Sequence, residues 1–267
     1  MGNLNSSRLH QLPHTTPWVL IRGLTRECRH WGGFDELLAE YLPGSRVHCV
    51  DLPGNGLHFR QVSPLTISQM MEQVRQELNV PVAVNILGLS MGGLVACDWA
   101  SRYPHEVSGI VLINSSVASL SPAWQRLRWQ VWWSVLRALL ASVEQREAMI
   151  YRLTCNVRDD QKTKLGEWLR YQDSCPVSRL NFVRQLSAAS RYQFSEGQLE
   201  HLKTPPLILA GRNDRLVNPE CSRALASYLH CPWICHPSAG HDLTHDDPLW
   251  VIRQIEHWLQ AAPVYSE

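Results

Sequence analysis

The sequence predicts an α/β fold, a doubly wound and mostly parallel sheet of about six or seven strands with a helical lid inserted. Three observations carry this reading. Short apolar, β-rich runs recur along the chain, each bounded by turn residues. Helical patterns alternate with them, the rhythm of parallel strands joined by crossover helices. One block, residues 118–197, breaks the rhythm with helical patterns and no convincing strand.

The strands are "WVLIR" (18–22), "RVHCVD" (46–51), "VAVNILG" (82–88), "GIVLIN" (109–114), "LILAG" (207–211) and "WICHP" (233–237). Their near-continuous apolar character suits strands covered on both faces. Helices are expected near 31–42, 66–79, 91–103, 218–229 and 248–260. The organisation that follows is a flexible leader at 1–16, a core from 17–117 and 198–267, and a lid at 118–197. Such a lid would sit over the carboxyl edge of the sheet, where open α/β sheets bind ligands. It carries Trp124, Trp129, Trp132 and Trp133. Packing between lid and core is the plain role for these rings, and Trp124 and Trp129 are the candidates for lining an acyl or aromatic pocket.

Composition narrows the function. A formal net charge of +1 gives no global argument for nucleic acid or an anionic surface. No apolar run reaches the ~20 residues that span a bilayer. Charge is nevertheless uneven: residues 118–197 hold twelve Lys/Arg against seven Asp/Glu, a net of +5, and the remainder is −4. A basic lid could greet an anionic or carrier-bound substrate, although a solvated helical face has the same signature. Eight cysteines behind an opening without a secretory signal point to free thiols in a reducing, cytoplasmic setting. Cys49, Cys97 and Cys221 sit in apolar stretches and read as small core residues. Cys231 and Cys235 lack a second pair at zinc-ligand spacing, so no metal is expected. Gly2 and Ser6 match a loose N-myristoylation pattern, for which a flexible leader is the plainer reading.

The chemistry begins at Gly88-Leu89-Ser90-Met91-Gly92, a G-x-S-x-G sequence between a strand and a helix. Glycines there allow a tight turn that would hold the Ser90 hydroxyl out above the sheet. The backbone N–H of Met91, at the helix start, would point toward a developing oxyanion. A serine hydroxyl needs a general base, preceded in the chain by a carboxylate that orients it. Asp214 follows the strand "LILAG", and His241 follows "WICHPSAG". All three therefore fall at one edge of the sheet. Asp242, His245, Asp246 and Asp247 crowd the same loop and read as solvated or helix N-terminal residues, and Asp51 and Asp98 as structural ones.

Together "GLSMGG", "AGRNDRLV", "SAGHD" and "DLPGNG" (51–56) resemble the α/β-hydrolase superfamily over residues 17–262. The resemblance implies Ser90 as nucleophile, His241 as base then acid, and Asp214 as the group that fixes the imidazole. It also implies backbone oxyanion donors at Leu24 and Met91. Family members usually carry histidine where this chain has Arg22, and a guanidinium cannot accept a hydrogen bond. Arg22 would turn to the surface, or lean into the pocket and favour a substrate carboxylate or phosphate. The late first strand implies that one or both antiparallel edge strands of the family are missing.

The expected reaction is hydrolysis of a small-molecule carboxylic ester or thioester through a Ser90 acyl-enzyme, with no cofactor. The same architecture resembles, in outline, a menaquinone-synthesis member that eliminates pyruvate from an anionic substrate. It also resembles the carrier-protein methyl esterase of biotin synthesis. A non-catalytic hydrolase-like receptor is the alternative from another class.

Overall fold

The computed structural model describes residues 16–261 apart from 80, 196, 198, 200, 201 and 203. The leader read from the sequence, with its Gly2 and Ser6 pattern, lies outside them but for its last residue.

Among the described residues six strands form one sheet: β1 (Trp18–Ile21), β2 (Val47–Val50), β3 (Val84–Leu89), β4 (Val107–Ile113), β5 (Leu207–Gly211) and β6 (Trp233–His236). Their spatial order is β2-β1-β3-β4-β5-β6, and every pairing is parallel. Among the described residues there is no antiparallel edge strand. The order reverses between β1 and β3, where Ile21 lies opposite Gly88. That reversal opens a crevice at the carboxyl ends of the two strands, the place where such sheets hold ligands.

Side chains alternate strictly across the sheet. Val19, Ile21, Ile86, Ile110, Leu112 and Ile208 enter one core, and Trp18, Leu20, Leu87, Val111, Ile113 and Leu209 the other. Both faces are therefore buried, which explains why the strands read as continuous apolar runs. Helices α2 (Ile67–Leu78), α3 (Met91–Arg102) and α9 (Pro219–Tyr228) cover the first face. α1 (Phe34–Tyr41) and α11 (Pro248–Ala261) cover the second, with the one-turn α10 (Leu243–Asp246) leading into α11. α3 is buried from Met91 through Ala100, so its sequence is apolar on all sides. Local signals mark the boundaries. Thr66 caps α2 by accepting the Gln69 amide, Asn79 ends it in the left-handed region, and Pro219 opens α9 behind the Asn218 cap.

Between β4 and β5 lie α4 (Ala123–Arg126), α5 (Trp132–Ala138), α6 (Val143–Thr154), α7 (Gln161–Ser174) and α8 (Arg179–Arg191). Ser142 and Gln145 form a reciprocal capping box at the start of α6, and Ser178 caps α8. Buried polar contacts fasten these helices to the core. Asn181 bonds the Ser63 amide and the Gln61 carbonyl, and the Gln185 side chain bonds the Thr25 amide and the Asn55 side chain.

None of the eight cysteines forms a disulfide. Cys97 and Cys221 are buried as small core residues, and Cys49 is only half-buried. No described helix is long and apolar enough to cross a membrane.

Candidate active site

The carboxyl edge of the sheet collects the site. β3 ends in a turn so tight that a Cβ on Gly88 would lie 2.5 Å from the Gly92 carbonyl oxygen. A Cβ on Gly92 would lie 2.1 Å from the carbonyl oxygen of Ile21 on β1. Only hydrogen fits at either place. Ser90 occupies the apex with φ 57° and ψ −117°, a strained backbone for a residue with a side chain. The strain is held from several sides. Its amide donates to Ile113 O at 2.8 Å, and its carbonyl accepts from Gly93 N and from the Ser115 hydroxyl. Gly23, after β1, approaches so closely that a Cβ there would touch the Ser90 Cβ at 3.0 Å.

Asp214 and His241 come from the loops after β5 and β6. His241 Nδ1 lies 2.7 Å from Asp214 Oδ2, with both side chains buried. The carboxylate can only accept, so Nδ1 donates in this bond and Nε2 is left to face the cavity chemistry. Asp214 Oδ1 is occupied by the Leu216 and Val217 amides at 2.7 and 2.9 Å. Those bonds fix the carboxylate plane and leave Oδ2 for the imidazole. Ser90 and His241 line the same cavity.

That cavity holds about 1110 Å³ counting its open mouth. Leu127, Val135, Leu139, Ile150, Leu153 and Leu186 of the helical insertion make its wall apolar. An adjoining groove also opens on Ser90 and is bordered by Leu24, Met91 and Trp132. Among the described residues, neither the Leu24 nor the Met91 amide donates to a protein group.

Two sequence readings change here. Arg22 does not turn to the surface: it lines the Ser90 cavity, but both of its terminal nitrogens are engaged by a protein carboxylate. It is buried against Asp242, with Nη2 at 2.5 Å from Oδ2 and Nη1 at 3.2 Å from Oδ1. Its guanidinium also lies over the Trp31 ring at 4.8 Å. Asp242 is accordingly no solvated loop residue. Burial pushes its carboxyl upward, but the charge and hydrogen bonds of Arg22 outweigh burial and hold it down at about 2. A buried guanidinium at the end of an apolar strand demands a carboxylate, and that demand was the available signal.

Trp124 and Trp129 stand well exposed and line neither the cavity nor the groove. The physical reason is the phase of the insertion. Val131, Ser134, Val135 and Ala138 turn inward, which carries the neighbouring rings out. Trp132, not one of the two candidates, is the ring that reaches the groove.

Further supports were not visible in sequence. Asn114, with φ 48°, follows β4 and donates to the Gly240 and His241 carbonyls while accepting the Gly211 amide. It thereby ties the Asp214 strand to the His241 loop. Asp246 accepts from the Gly240, Asn156 and Val157 amides, joining that loop to the end of α6. In the cavity wall Arg26 pairs with Glu147 at 2.7 Å and reaches His30 Nε2 at 2.8 Å. Burial, helped by the Arg26 and Arg22 charges, pushes the His30 pKa well below its ordinary value.

Comparison with known proteins matches this fold. The family model of the alpha/beta hydrolase fold covers residues 16–248. A pimeloyl-[acyl-carrier protein] methyl ester esterase of Yersinia enterocolitica is 40% identical over 243 residues, spanning 85% of this chain and 91% of that one. The protein of the same name from Sodalis glossinidius is 30% identical over 236 residues, spanning 82% and 88%. Among solved structures, an esterase from Rhodococcus sp. ECU1013 superposes with a TM-score of 0.72 at 19% identity, over 94% of this chain and 93% of that one. With its sheet, its elbow and the match over residues 16–248, the chain belongs to the alpha/beta hydrolase fold family.

Proposed function

We propose that the chain is a serine esterase with Ser90 as nucleophile, His241 as general base and acid, and Asp214 as the group that orients His241. The observation that carries this is the Asp214–His241 bond of 2.7 Å in the wall of the cavity on which Ser90 opens. Nε2 of His241 takes the Ser90 proton as Oγ attacks the ester carbonyl. The negative charge that develops on the carbonyl oxygen is met by the Leu24 and Met91 amides, the latter at the positive end of α3. The tetrahedral species collapses, His241 protonates the departing alcohol, and the acyl group stays on Ser90. His241 then takes a proton from water, the hydroxide attacks the acyl-enzyme, and the acid leaves with Oγ re-protonated. The insertion's apolar wall suits an acyl chain, and excluding water strengthens each charge interaction at the centre.

The names of the Yersinia and Sodalis relatives support a narrower reading, an ester on an acyl chain held by an acyl-carrier protein. The net +5 of residues 118–197 is consistent with an acidic carrier. Eight unpaired cysteines fit a reducing, cytoplasmic setting. The elimination reading loses one of its two anchors, because Asp242 already engages both terminal nitrogens of Arg22, while Arg146 and Arg179 of the insertion still line the cavity. The test is turnover of p-nitrophenyl esters from about two to about twelve carbons, with Ser90→Ala as control. Turnover that vanishes in the variant supports the reading, and activity that survives it overturns it.

A further inference from the structure

The outer face of residues 124–140 in the helical insertion is apolar where a solvated face should be polar. Trp124, Trp129, Trp133 and Leu140 are 58, 64, 75 and 82% exposed, and Trp132 and Leu136 about half. Single exposed apolar residues need no explanation, but six within one stretch of the chain do. α5 makes the anomaly plain. Its inner side, through Val135 and Ala138, lines the cavity, while its outer side presents Trp132, Trp133 and Leu136. A helix apolar on both sides is normally buried on both.

The charges in the stretch have one sign. Between Val107 and Val143 there are three arginines, Arg126, Arg128 and Arg137, and no Asp or Glu. Arg137 is exposed on the same side of α5 as Trp133 and Leu136. Arg126 and Arg128 are half-buried, and Arg126 bonds the Ser190 carbonyl, so Arg137 is the exposed cation of the patch. Exposed tryptophans beside it suit a bilayer surface. The rings would sit at headgroup depth, the aliphatic tips would enter the acyl layer, and the Arg137 guanidinium would meet lipid phosphates. A second copy of the chain fits poorly. A two-fold contact would set this face against itself, Arg137 toward Arg137, with no Asp or Glu between Val107 and Val143 to relieve them. Trp132 links the patch to the chemistry, since it also borders the groove that opens on Ser90.

We infer that the outer face of residues 124–140 is a peripheral docking surface for anionic lipid bilayers, which sets the mouth of the Ser90 groove against the membrane. The inference goes beyond the ester reading and does not depend on it, because lipid binding is measured without turnover.

The experiment is co-sedimentation of the full chain with vesicles of phosphatidylcholine containing about 30% phosphatidylglycerol, beside pure phosphatidylcholine vesicles, with tryptophan emission recorded. The expected result is binding to the anionic vesicles, a blue shift on binding, and weakening as salt rises. Trp133→Gln with Leu136→Gln and Leu140→Gln should lower partitioning at least ~10-fold. Arg137→Glu, a milder surface change, should weaken binding to the anionic vesicles alone. Both variants should keep wild-type circular dichroism and wild-type turnover of a short soluble ester. The inference is overturned by absence of binding to either vesicle, or by binding that the triple variant leaves unchanged. It is equally overturned by a dimer, or a complex with an acidic acyl-carrier protein, that the triple variant abolishes while vesicles are ignored.

Discussion

Arg22 and Asp242, 220 residues apart in sequence, form a buried two-bonded ion pair that joins the loop after β1 to the loop that carries His241. The two loops hold the Leu24 amide and the imidazole, so the pair sets the spacing between the proposed oxyanion donor and the base. Its members depend on each other. Arg22→Ala leaves a carboxylate buried without a partner and should cost roughly 3–5 kcal/mol in denaturant unfolding. Arg22→Met combined with Asp242→Leu removes both charges and should recover most of that loss. An Arg22→Ala protein as stable as wild type would contradict this view of the pair.

Asp214→Asn separates stability from chemistry. The amide oxygen of asparagine can still accept from the Leu216 and Val217 amides, so the loop should hold and the unfolding midpoint should move little. Toward His241 Nδ1, however, an NH₂ group would replace an acceptor and favour the wrong tautomer. The expected outcome is a fall in kcat of about 10⁴ with nearly wild-type stability. Steady-state kinetics beside a denaturation curve reads both.

The contact between α3 and β1 predicts a folding defect at Gly92. A methyl group there would stand 2.1 Å from the Ile21 carbonyl oxygen, which is backbone and cannot rotate aside. Gly92→Ala should therefore lower the melting temperature sharply or leave the protein insoluble. Gly166→Ala is the matched control, because a Cβ there meets nothing within 4 Å. It lies within α7, where alanine should be neutral or mildly stabilising.

Buried His30 gives a pH dependence of known sign. Its folded pKa is depressed, so below about pH 6.5 the unfolded chain binds a proton that the folded protein refuses. Stability from this group is complete above that pH and declines as pH falls, at up to about 1.4 kcal/mol per unit. His30→Asn should flatten the decline between about pH 6.5 and 5 in urea titrations. Asp242 acts lower on the scale. Its carboxyl is held at about 2, so its contribution is present above the ordinary carboxylate value near 3.8 and is lost as pH falls toward 2. Steeper acid loss in the His30→Asn protein than in wild type would contradict the assignment.

Much of the fold was legible because its strands are buried on both faces and its helices carry caps. Runs such as "VAVNILG" and "LILAG" state their burial directly, and Thr66, Asn79 and Pro219 mark helix ends within a residue or two. The G-x-S-x-G turn was legible because the close approach of Gly92 to β1 admits no side chain. Partnerships across long sequence separation were not. Nothing near Arg22 names Asp242, and an acidic residue beside His241 reads as solvated until a guanidinium is known to face it. The tryptophans of the helical insertion were misplaced for another reason. Trp124 lies on the one-turn α4, Trp129 in a short turn and Trp132 at the start of α5, pieces too short to carry a periodicity that tells inside from outside.

The most direct test of the account is to trap the acyl-enzyme step with a fluorophosphonate that phosphonylates an activated serine, and to locate the adduct by peptide mass spectrometry. A Ser90 activated by His241 gives one stoichiometric adduct, on the peptide containing Ser90, which is lost in both Ser90→Ala and His241→Ala. No adduct on the folded protein, or an adduct that persists without His241, would contradict it.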